Sequence, residues 1–478
     1  MPALAPSCCK LGPPANRGLR GNNNMAQASG KTWSSGFTFI LAAVGAAVGL
    51  GNIWKFPYIV GISGGGAFVL VYLGCVLFIA VPILITELWI GRAGGHSPPI
   101  AMANVAKQGG LNPGRWSLVG YMAMFVGYLI ATYYSVIAGW TLAYIFKAGA
   151  GFGDGAPGAI AQQFTDLKAD PQALILWHSI FMTIALFIVG RGLKDGIERV
   201  VTVLMPALFA MLLLMIGYAA VEGDFAAGLS FLFSTDFSKI DGAVVLTAIG
   251  QAFFSISVAM GLLMTYGSYV PKGVSLTKSA LIIAGADTLV ALLAGLMIFP
   301  LVFGNGLNPG SGPGLIFETL PTAFADMPGG RVFGVIFFVL LAFAAVTSLI
   351  AIIEPIVRFA EGKWNMARRN GVIVFGLLAW GIGLITVFSF NIWEEVYPLG
   401  QFEAFATTNP FGLIDYFTAN LMMPLGGILM ALFVGWRIKP QVLAESLSFG
   451  NELLFTVWLW MIRIVVPLAI LWVLYSSL

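Results

Sequence analysis

The sequence predicts an all-α polytopic membrane protein with eleven transmembrane helices. Three observations predict it. Of 478 residues, 59% are hydrophobic and only 9% are charged, and the mean hydropathy is +0.91; a soluble chain carries about 25% charged residues. Apolar segments of spanning length recur at about 36–60, 66–90, 117–147, 173–190, 197–221, 243–269, 277–303, 331–360, 371–390, 411–436 and 452–476. The cationic residues between them are one-sided. If the N-terminus is cytoplasmic, the inner segments hold 18 of the 24 Lys and Arg and the outer loops hold four, Lys147, Lys168, Lys239 and Arg331. That bias sets the N-terminus inside and, with eleven spans, the C-terminus outside. Lys55 and Arg463 complete the count, and both lie within spans.

Residues 1–30 are poor in apolar residues, contain no signal-peptide core, and read as a disordered tail or an over-called start, with Met25 the expected initiator. The first span is unusual. Gly45-Ala-Ala-Val48-Gly49-Leu50-Gly51-Asn52-Ile-Trp-Lys55-Phe56-Pro57 puts three Gly, an Asn and a Lys near its midpoint. Gly weakens a helix by roughly 1 kcal/mol against Ala. A cation within a span costs about 2.5–3.5 kcal/mol on insertion scales. Both are tolerated where the backbone lines a protein cavity, so the span reads as broken, with freed carbonyls for a cation and freed N–H groups for an anion. The alternative is a Gly-rich packing face. The sixth span repeats the pattern with Gly250-Gln251-Ala-Phe253-Phe254-Ser255-Ile-Ser257-Val-Ala259-Met260-Gly261. Breaks five helices apart are what two five-helix inverted repeats would place at their interface. The expected divisions are 31–230 for helices 1–5, 231–438 for helices 6–10 and 439–478 for helix 11.

Four more spans carry polar groups that do not belong against lipid: Tyr133-Tyr134 in the third, Asp287 in the seventh, Thr347-Ser348 in the eighth and Asp415 in the tenth. Thr347 and Ser348 have an ordinary alternative, bonding to their own helix, and Tyr134 could be a packing tyrosine. Asp287 is harder to dismiss, because an ionisable residue in mid-span is a functional hypothesis by default. Together these supply hard oxygen ligands, suited to an alkali or alkaline-earth ion and not to a soft metal. Cys8, Cys9 and Cys75 build no disulfide framework or zinc site, and His96 and His178 stand alone. No nucleophile–base pair is apparent. Gly151-Phe-Gly153-Asp154 imitates an intramembrane aspartyl-protease motif but lies in a loop. A channel would need a polar pore stripe or filter loops, and neither is visible. The Gly/Pro-rich stretch 304–330 lacks the Lys of a phosphate loop and reads as a cap over an outer vestibule.

Gly49-Leu-Gly51-Asn52-Ile-Trp-Lys55-Phe56-Pro57 with Gly64-Gly-Gly-Ala-Phe68 resembles the first-helix signature of the neurotransmitter:sodium symporters. Lys194-Asp-Gly196-Ile-Glu-Arg199, Gly250-Gln251-Ala-Phe-Phe254-Ser255, Thr265-Tyr-Gly-Ser-Tyr269 and Thr347-Ser348 follow in family order, so that the resemblance covers about 31–478, on the branch of prokaryotic amino acid transporters. It implies the leucine-transporter-like inverted-repeat fold with helices 1 and 6 unwound. Half-helix binding sites of this kind are known from a bacterial member of the same family. The resemblance implies no covalent chemistry, hence not an enzyme, but Na⁺-coupled symport of hydrophobic L-amino acids by alternating access in the cytoplasmic (inner) membrane. An amino-acid-binding sensor with little turnover is the alternative. The partners are then the amino acid and the bilayer, with no nucleic acid and no need of an oligomer.

Residue by residue, the resemblance implies a first sodium site from Ala47, Asn52, Ser255, Asp287 and the substrate carboxylate, and a second from Gly45, Val48, Ala344, Thr347 and Ser348. Tyr134 and the N–H groups of Leu50 and Gly51 would hold the carboxylate. Ile130, Phe254, Met260, Ile352 and Ser257 would wall the side chain. The outer gate would be Lys55 with Asp415, Phe254 would close above the substrate, and Trp33 stands in its inner-gate place. Departures are informative. Lys55 replaces the usual Arg and lacks its bidentate fork. The inner pair reads Gly30 and Gly362, leaving neighbouring Lys31 and Glu361 as substitutes. Monoamine members place an Asp at Gly49. Chloride-dependent members place an Asn at Asp287 and a Ser at Ala291, while Tyr72, Gln251 and Ser255 match other positions of their anion site. The resemblance thus implies two Na⁺ sites, and transport is expected to need Na⁺ but no chloride. Gly196 and Pro206 match members whose fifth helix unwinds; a fixed proline kink is the alternative.

Overall fold

The computed structural model describes residues 32–152, 157–310, 312, 314–447 and 449–477. The N-terminal tail with Met25, Lys31 and the Gly153-Asp154 pair lie outside the described residues. The architecture is all helical. In order come α1 (Gly36–Ala47), α2 (Gly51–Ile62), α3 (Gly66–Gly94), α4 (Pro98–Gln108), α5 (Pro113–Ala150), α6 (Pro157–Ala169), α7 (Pro171–Gly190), α8 (Leu193–Glu222), α9 (Phe225–Phe233), α10 (Gly242–Ile256), α11 (Leu262–Gly267), α12 (Leu276–Gly304), α13 (Leu320–Asp326), α14 (Gly330–Lys363), α15 (Arg368–Ser389), α16 (Pro410–Arg437), α17 (Pro440–Leu447) and α18 (Glu452–Ser476).

Among the described residues nine helices are long and apolar enough to cross a membrane, or ten when α1 and α2, bent by 50°, form one span. Eleven are expected from the sequence. The difference is the sixth segment, where α10 has only 15 residues before it stops. At 1.5 Å per residue that is about 22 Å, short of a roughly 30 Å hydrocarbon core. Burial separates the centre from the lipid face. The apolar windows of α5 and α14 are each 83% buried, whereas that of α8 is 28% buried. The fifth span is wound in this structure: α8 runs through both Gly196 and Pro206, with wider π-helical turns over Leu193–Glu198.

The two breaks are built differently. In the first, Ser35 caps α1 through the Thr38 N–H, and Val48 turns extended (φ −67°, ψ 105°) to end it. In the second, Ser257, Ala259 and Gly261 alternate into the left-handed region at φ 58°, 65° and 74°. Non-glycine residues there cost about 1–3 kcal/mol each and persist only when neighbours over-determine them. The neighbours are α3 and α5. Buried Glu87 of α3 accepts the Ala259 N–H. The α3 and α5 backbones approach through glycines: a Cβ on Gly91 would lie 1.9 Å from the Met264 carbonyl, and one on Gly127 2.8 Å from that of Met260.

This packing makes a stability prediction. Gly91→Ala forces α3 off the broken span and should destabilise by about 1–3 kcal/mol, the usual range for overpacking. Gly74→Ala, whose Cβ would meet nothing within 4 Å, should be neutral or slightly stabilising. Thermal unfolding of the two purified variants separates them; equal melting temperatures would refute the close approach.

Candidate functional site

The breaks of the first and sixth spans face α12, and three polar side chains meet there. Asn52, Ser255 and Asp287 are each fully buried. The Asn52 amide donates to Asp287 Oδ1 at 2.8 Å, to the Asp287 carbonyl at 3.0 Å and to Ser255 Oγ at 3.0 Å. Ser255 donates to Asp287 Oδ2 at 2.6 Å and accepts from the Tyr72 hydroxyl at 3.1 Å. Asn52 Oδ1 accepts the Gly49 N–H at 3.1 Å. Three of the four residues expected at the first ion position thus form one network. Its donor chemistry is a single carboxylate, a hydroxyl and an amide, which suits a hard monovalent cation. The Asn52 oxygen faces the Gly49 N–H and its NH₂ faces Asp287.

At the second expected ion position only Ser348 bonds across to the first span, while Thr347 bonds within its own helix, to the Phe343 and Ala344 carbonyls. Ser348 Oγ of α14 donates to the Val48 carbonyl at 3.3 Å, and Thr347 Oγ1 donates to the Ala344 carbonyl at 3.0 Å. A Cβ on Gly45 would lie 3.4 Å from Thr347 Cβ, so α1 presents its last turn to these hydroxyls.

Between the two positions lies a small cavity of about 20 Å³, lined by Ala47, Gly49, Gly51, Ile130, Tyr134, Phe254, Ser257, Met260, Ser348 and Ile352. Every residue expected to wall a substrate side chain is there. Tyr134 Oη accepts the Leu50 N–H at 3.3 Å. This volume is about that of one water, so a larger guest enters only if the walls part. Gly49 is the tightest point: its Cβ would sit 2.5 Å from Ser348 Oγ and 2.9 Å from Tyr134 Oη.

Phe254 divides this cavity from one of about 310 Å³ above it, lined by Leu50, Trp54, Lys55, Tyr58, Tyr133, Tyr134, Trp140, Phe164, Lys168, Phe411, Asp415 and others. Lys55 Nζ lies 4.1 Å over the Phe254 ring, a cation–π contact. Lys55 and Asp415 face the same cavity, but among the described residues no ion pair within 4.0 Å joins them.

The opposite side is shut. Trp33 is 2% exposed. Its indole N–H donates to the Tyr266 carbonyl at 3.1 Å and its backbone N–H to the Tyr269 carbonyl at 3.1 Å. Tyr269 Oη donates to Glu354 Oε1 at 2.7 Å, and the Arg368 guanidinium grips both oxygens of that fully buried carboxylate. Glu361 stands 3.7 Å from Arg368, and Lys31 lies outside the described residues. Gly362 has a packing reason: a Cβ there would fall 1.9 Å from the His96 ring.

Glu87 and Glu354 were not among the residues expected from the sequence. Both were detectable as carboxylates inside apolar runs, by the rule that singled out Asp287. Lys168 and the aromatic wall of the outer cavity carried no such signal.

Breaking the buried pair is measurable without a ligand. Glu354→Gln should destabilise by about 2–4 kcal/mol, toward the lower end of the range for breaking a buried pair because Arg368 is 13% exposed and keeps Glu361 at 3.7 Å, and Glu361→Gln by under about 1 kcal/mol. Denaturation of purified protein reads both; equal losses would show that Glu354 does not anchor this side.

Comparison with known proteins agrees with this geometry. The profile of the sodium:neurotransmitter symporter family matches residues 30–151 and 159–478. The uncharacterized sodium-dependent transporter YhdH of Bacillus subtilis (strain 168) is 34% identical over 92% of this chain and 96% of its own. An uncharacterized sodium-dependent transporter of Haemophilus influenzae is 33% identical over 96% and 99%. The crystal structure of MhsT in complex with L-phenylalanine superposes with a TM-score of 0.85 at 38% identity, over 94% of this chain and all of that one. With its broken first and sixth spans and its polar network between them, this chain belongs to the sodium:neurotransmitter symporter family, as a multi-pass membrane transporter and not an enzyme.

Proposed function

We propose that the protein transports hydrophobic L-amino acids by Na⁺-coupled symport through alternating access, with two Na⁺ sites and no need of chloride. The observation that carries this reading is the Asn52–Ser255–Asp287 network beside the small apolar cavity. In this reading Asp287, Ser255, the Asn52 oxygen and the Ala47 carbonyl take one ion. Gly45, Val48 and Ala344 carbonyls with Thr347 and Ser348 take the other. The substrate carboxylate bonds Tyr134 and the N–H groups freed at Leu50 and Gly51. Ile130, Phe254, Met260, Ile352 and Ser257 receive the side chain, and the adaptable Met260 admits aliphatic or aromatic shapes. The likeness to a phenylalanine-bound structure supports that class. Charged side chains fail there, because a buried unpaired charge is costly. Gly49, which lies close to Ser348 and Tyr134, brings no Asp to meet a substrate amine and leaves room for a carboxylate.

Two features support chloride independence. Ala291 is fully buried and offers no hydroxyl, and Tyr72 and Gln251 are already engaged with Ser255 and the Gly51 carbonyl. Asp287 supplies a fixed negative charge within reach of the ion. The repeats 31–230 and 231–438 enclose the site, and access to it alternates between the two sides. Opening outward parts Phe254 from Lys55, and opening inward releases Trp33 from Tyr269 with Glu354, Arg368 and Glu361.

The test is radiolabelled leucine or phenylalanine uptake into proteoliposomes. Accumulation should follow an inward Na⁺ gradient and survive replacement of chloride by gluconate. Unlabelled leucine, phenylalanine or tryptophan should compete, and glutamate or lysine should not. Asp287→Asn should lower uptake at least about a hundredfold, and adding Ala291→Ser should restore part of it only with chloride present. Collapse in gluconate refutes the chloride reading. Binding without gradient-driven accumulation replaces transport by amino acid sensing.

The Lys and Arg distribution supports an N-terminus inside. A cysteine placed after Ser477 should react with an impermeant thiol reagent from outside intact cells, and labelling from the cytoplasmic side alone would reverse the orientation.

A further inference from the structure

Arg463 is a cation within a spanning helix that the transport cycle above leaves unused. It lies about midway along α18, where an unpaired charge is costly in lipid. The fold sets it against the last turn of α16. Its Nε donates to the Gly435 carbonyl at 2.6 Å, and a Cβ on Gly435 would meet Arg463 Cγ at 3.1 Å. Gly435 is two residues from the end of α16, so Arg463 is level with the exposed Arg437 and near exposed Lys439. The Trp436 indole donates to the Arg463 carbonyl at 3.2 Å, and its ring lies 5.5 Å from the guanidinium. Trp436 and Trp460 are 58% and 54% exposed, as interfacial tryptophans are.

The guanidinium carries five N–H donors. One is spent on Gly435, and among the described residues no carboxylate stands within 4.0 Å of Arg463. Glu445 and Glu452, on the neighbouring segment, do not reach it. The adjoining loop 91–116 adds Lys107 and Arg115 and contains no Asp or Glu, and a Cβ on its Gly109 would lie 3.4 Å from Ile438. An arginine held open beside the end of α16, next to two exposed indoles and a rim of cations, has its missing counter-charge in the membrane. We propose that the groove between α16 and α18 holds the phosphate of an anionic phospholipid against Arg463, with Arg437 at its edge and Trp436 and Trp460 beside the acyl chains. The site follows from side-chain placement and holds for either orientation of the chain.

The test uses full-length purified protein and native mass spectrometry with phosphatidylglycerol or phosphatidylcholine of identical acyl chains. Wild type should retain the anionic lipid about fivefold over the zwitterionic one, the ratio that roughly 1 kcal/mol per interfacial basic residue corresponds to. Arg463→Gln should bring the ratio to about one. Inorganic phosphate at millimolar concentration should not displace the lipid. Equal retention by wild type, an unchanged ratio in Arg463→Gln, or displacement by inorganic phosphate overturns the proposal. A carboxylate from a second copy would appear as a dimer lost in Arg463→Gln, and overturns it too. Should that variant fail to fold, brominated lipids decide. Brominated phosphatidylglycerol should quench wild-type tryptophan fluorescence more than brominated phosphatidylcholine, and the difference should vanish in Trp436→Phe/Trp460→Phe. A difference that survives in that double variant places the lipid elsewhere.

Discussion

Two helices are interrupted inside an apolar body, and each interruption frees backbone groups that hydrocarbon cannot satisfy. The rest of the site answers that constraint. Asn52 meets the Gly49 N–H and Tyr134 the Leu50 N–H, while Ser348 meets the Val48 carbonyl, Gln251 the Gly51 carbonyl and Glu87 the Ala259 N–H. The partners come from α2, α5, α14, α10 and α3, so each break is tied to helices distant in sequence. An unsatisfied buried group costs about 1–3 kcal/mol, which makes these few contacts as weighty as a well-packed core side chain.

The same groups are those a cation or a carboxylate would use. A guest that binds here substitutes for protein–protein bonds and adds few bonds of its own kind. Its effect on conformation is therefore set by the difference between the bonds it makes and those it replaces, which is the condition for a ligand to shift a population. The Asn52 amide, which joins Asp287 and the Gly49 N–H, is one place where such an exchange would be felt. The tight fit of Gly49 against Ser348 and Tyr134 is another, since it ties the first break to α14 and α5 at one point.

The two closures differ in strength for physical reasons. Above the small cavity, Lys55 rests on an aromatic ring beside a wide cavity, a contact worth about 0.5–1 kcal/mol where water reaches it and about 2 where it does not. Below, Trp33 is held by two backbone carbonyls and backed by a buried Tyr269–Glu354–Arg368 array. The asymmetry favours an arrangement in which the outer side yields first. Gly362 shows how the chain manages without a carboxylate at that place: the His96 ring fills its space, and the charge moves to Glu354, two turns earlier on α14.

The sequence by itself determined the apolar segments, the two breaks and the polar set around them, because these depend on local composition. Glycine, proline and in-span polar residues weaken a helix wherever it is packed, so Gly49 to Pro57 and Gly250 to Gly261 were legible, and the family signature assigned roles to Asn52, Ser255 and Asp287. The break of the sixth span was legible in kind but not in extent, since α10 ends where Glu87 and the glycines of α3 and α5 hold Ser257 and Ala259 in left-handed conformations. Only the tertiary structure decided which groups became partners. That Lys55 lies on Phe254, that Glu354 faces Arg368 and Tyr269, and that Arg463 sits level with the end of α16 all depend on which helix arrives within about 3–5 Å. No propensity or spacing along a single helix encodes that distance.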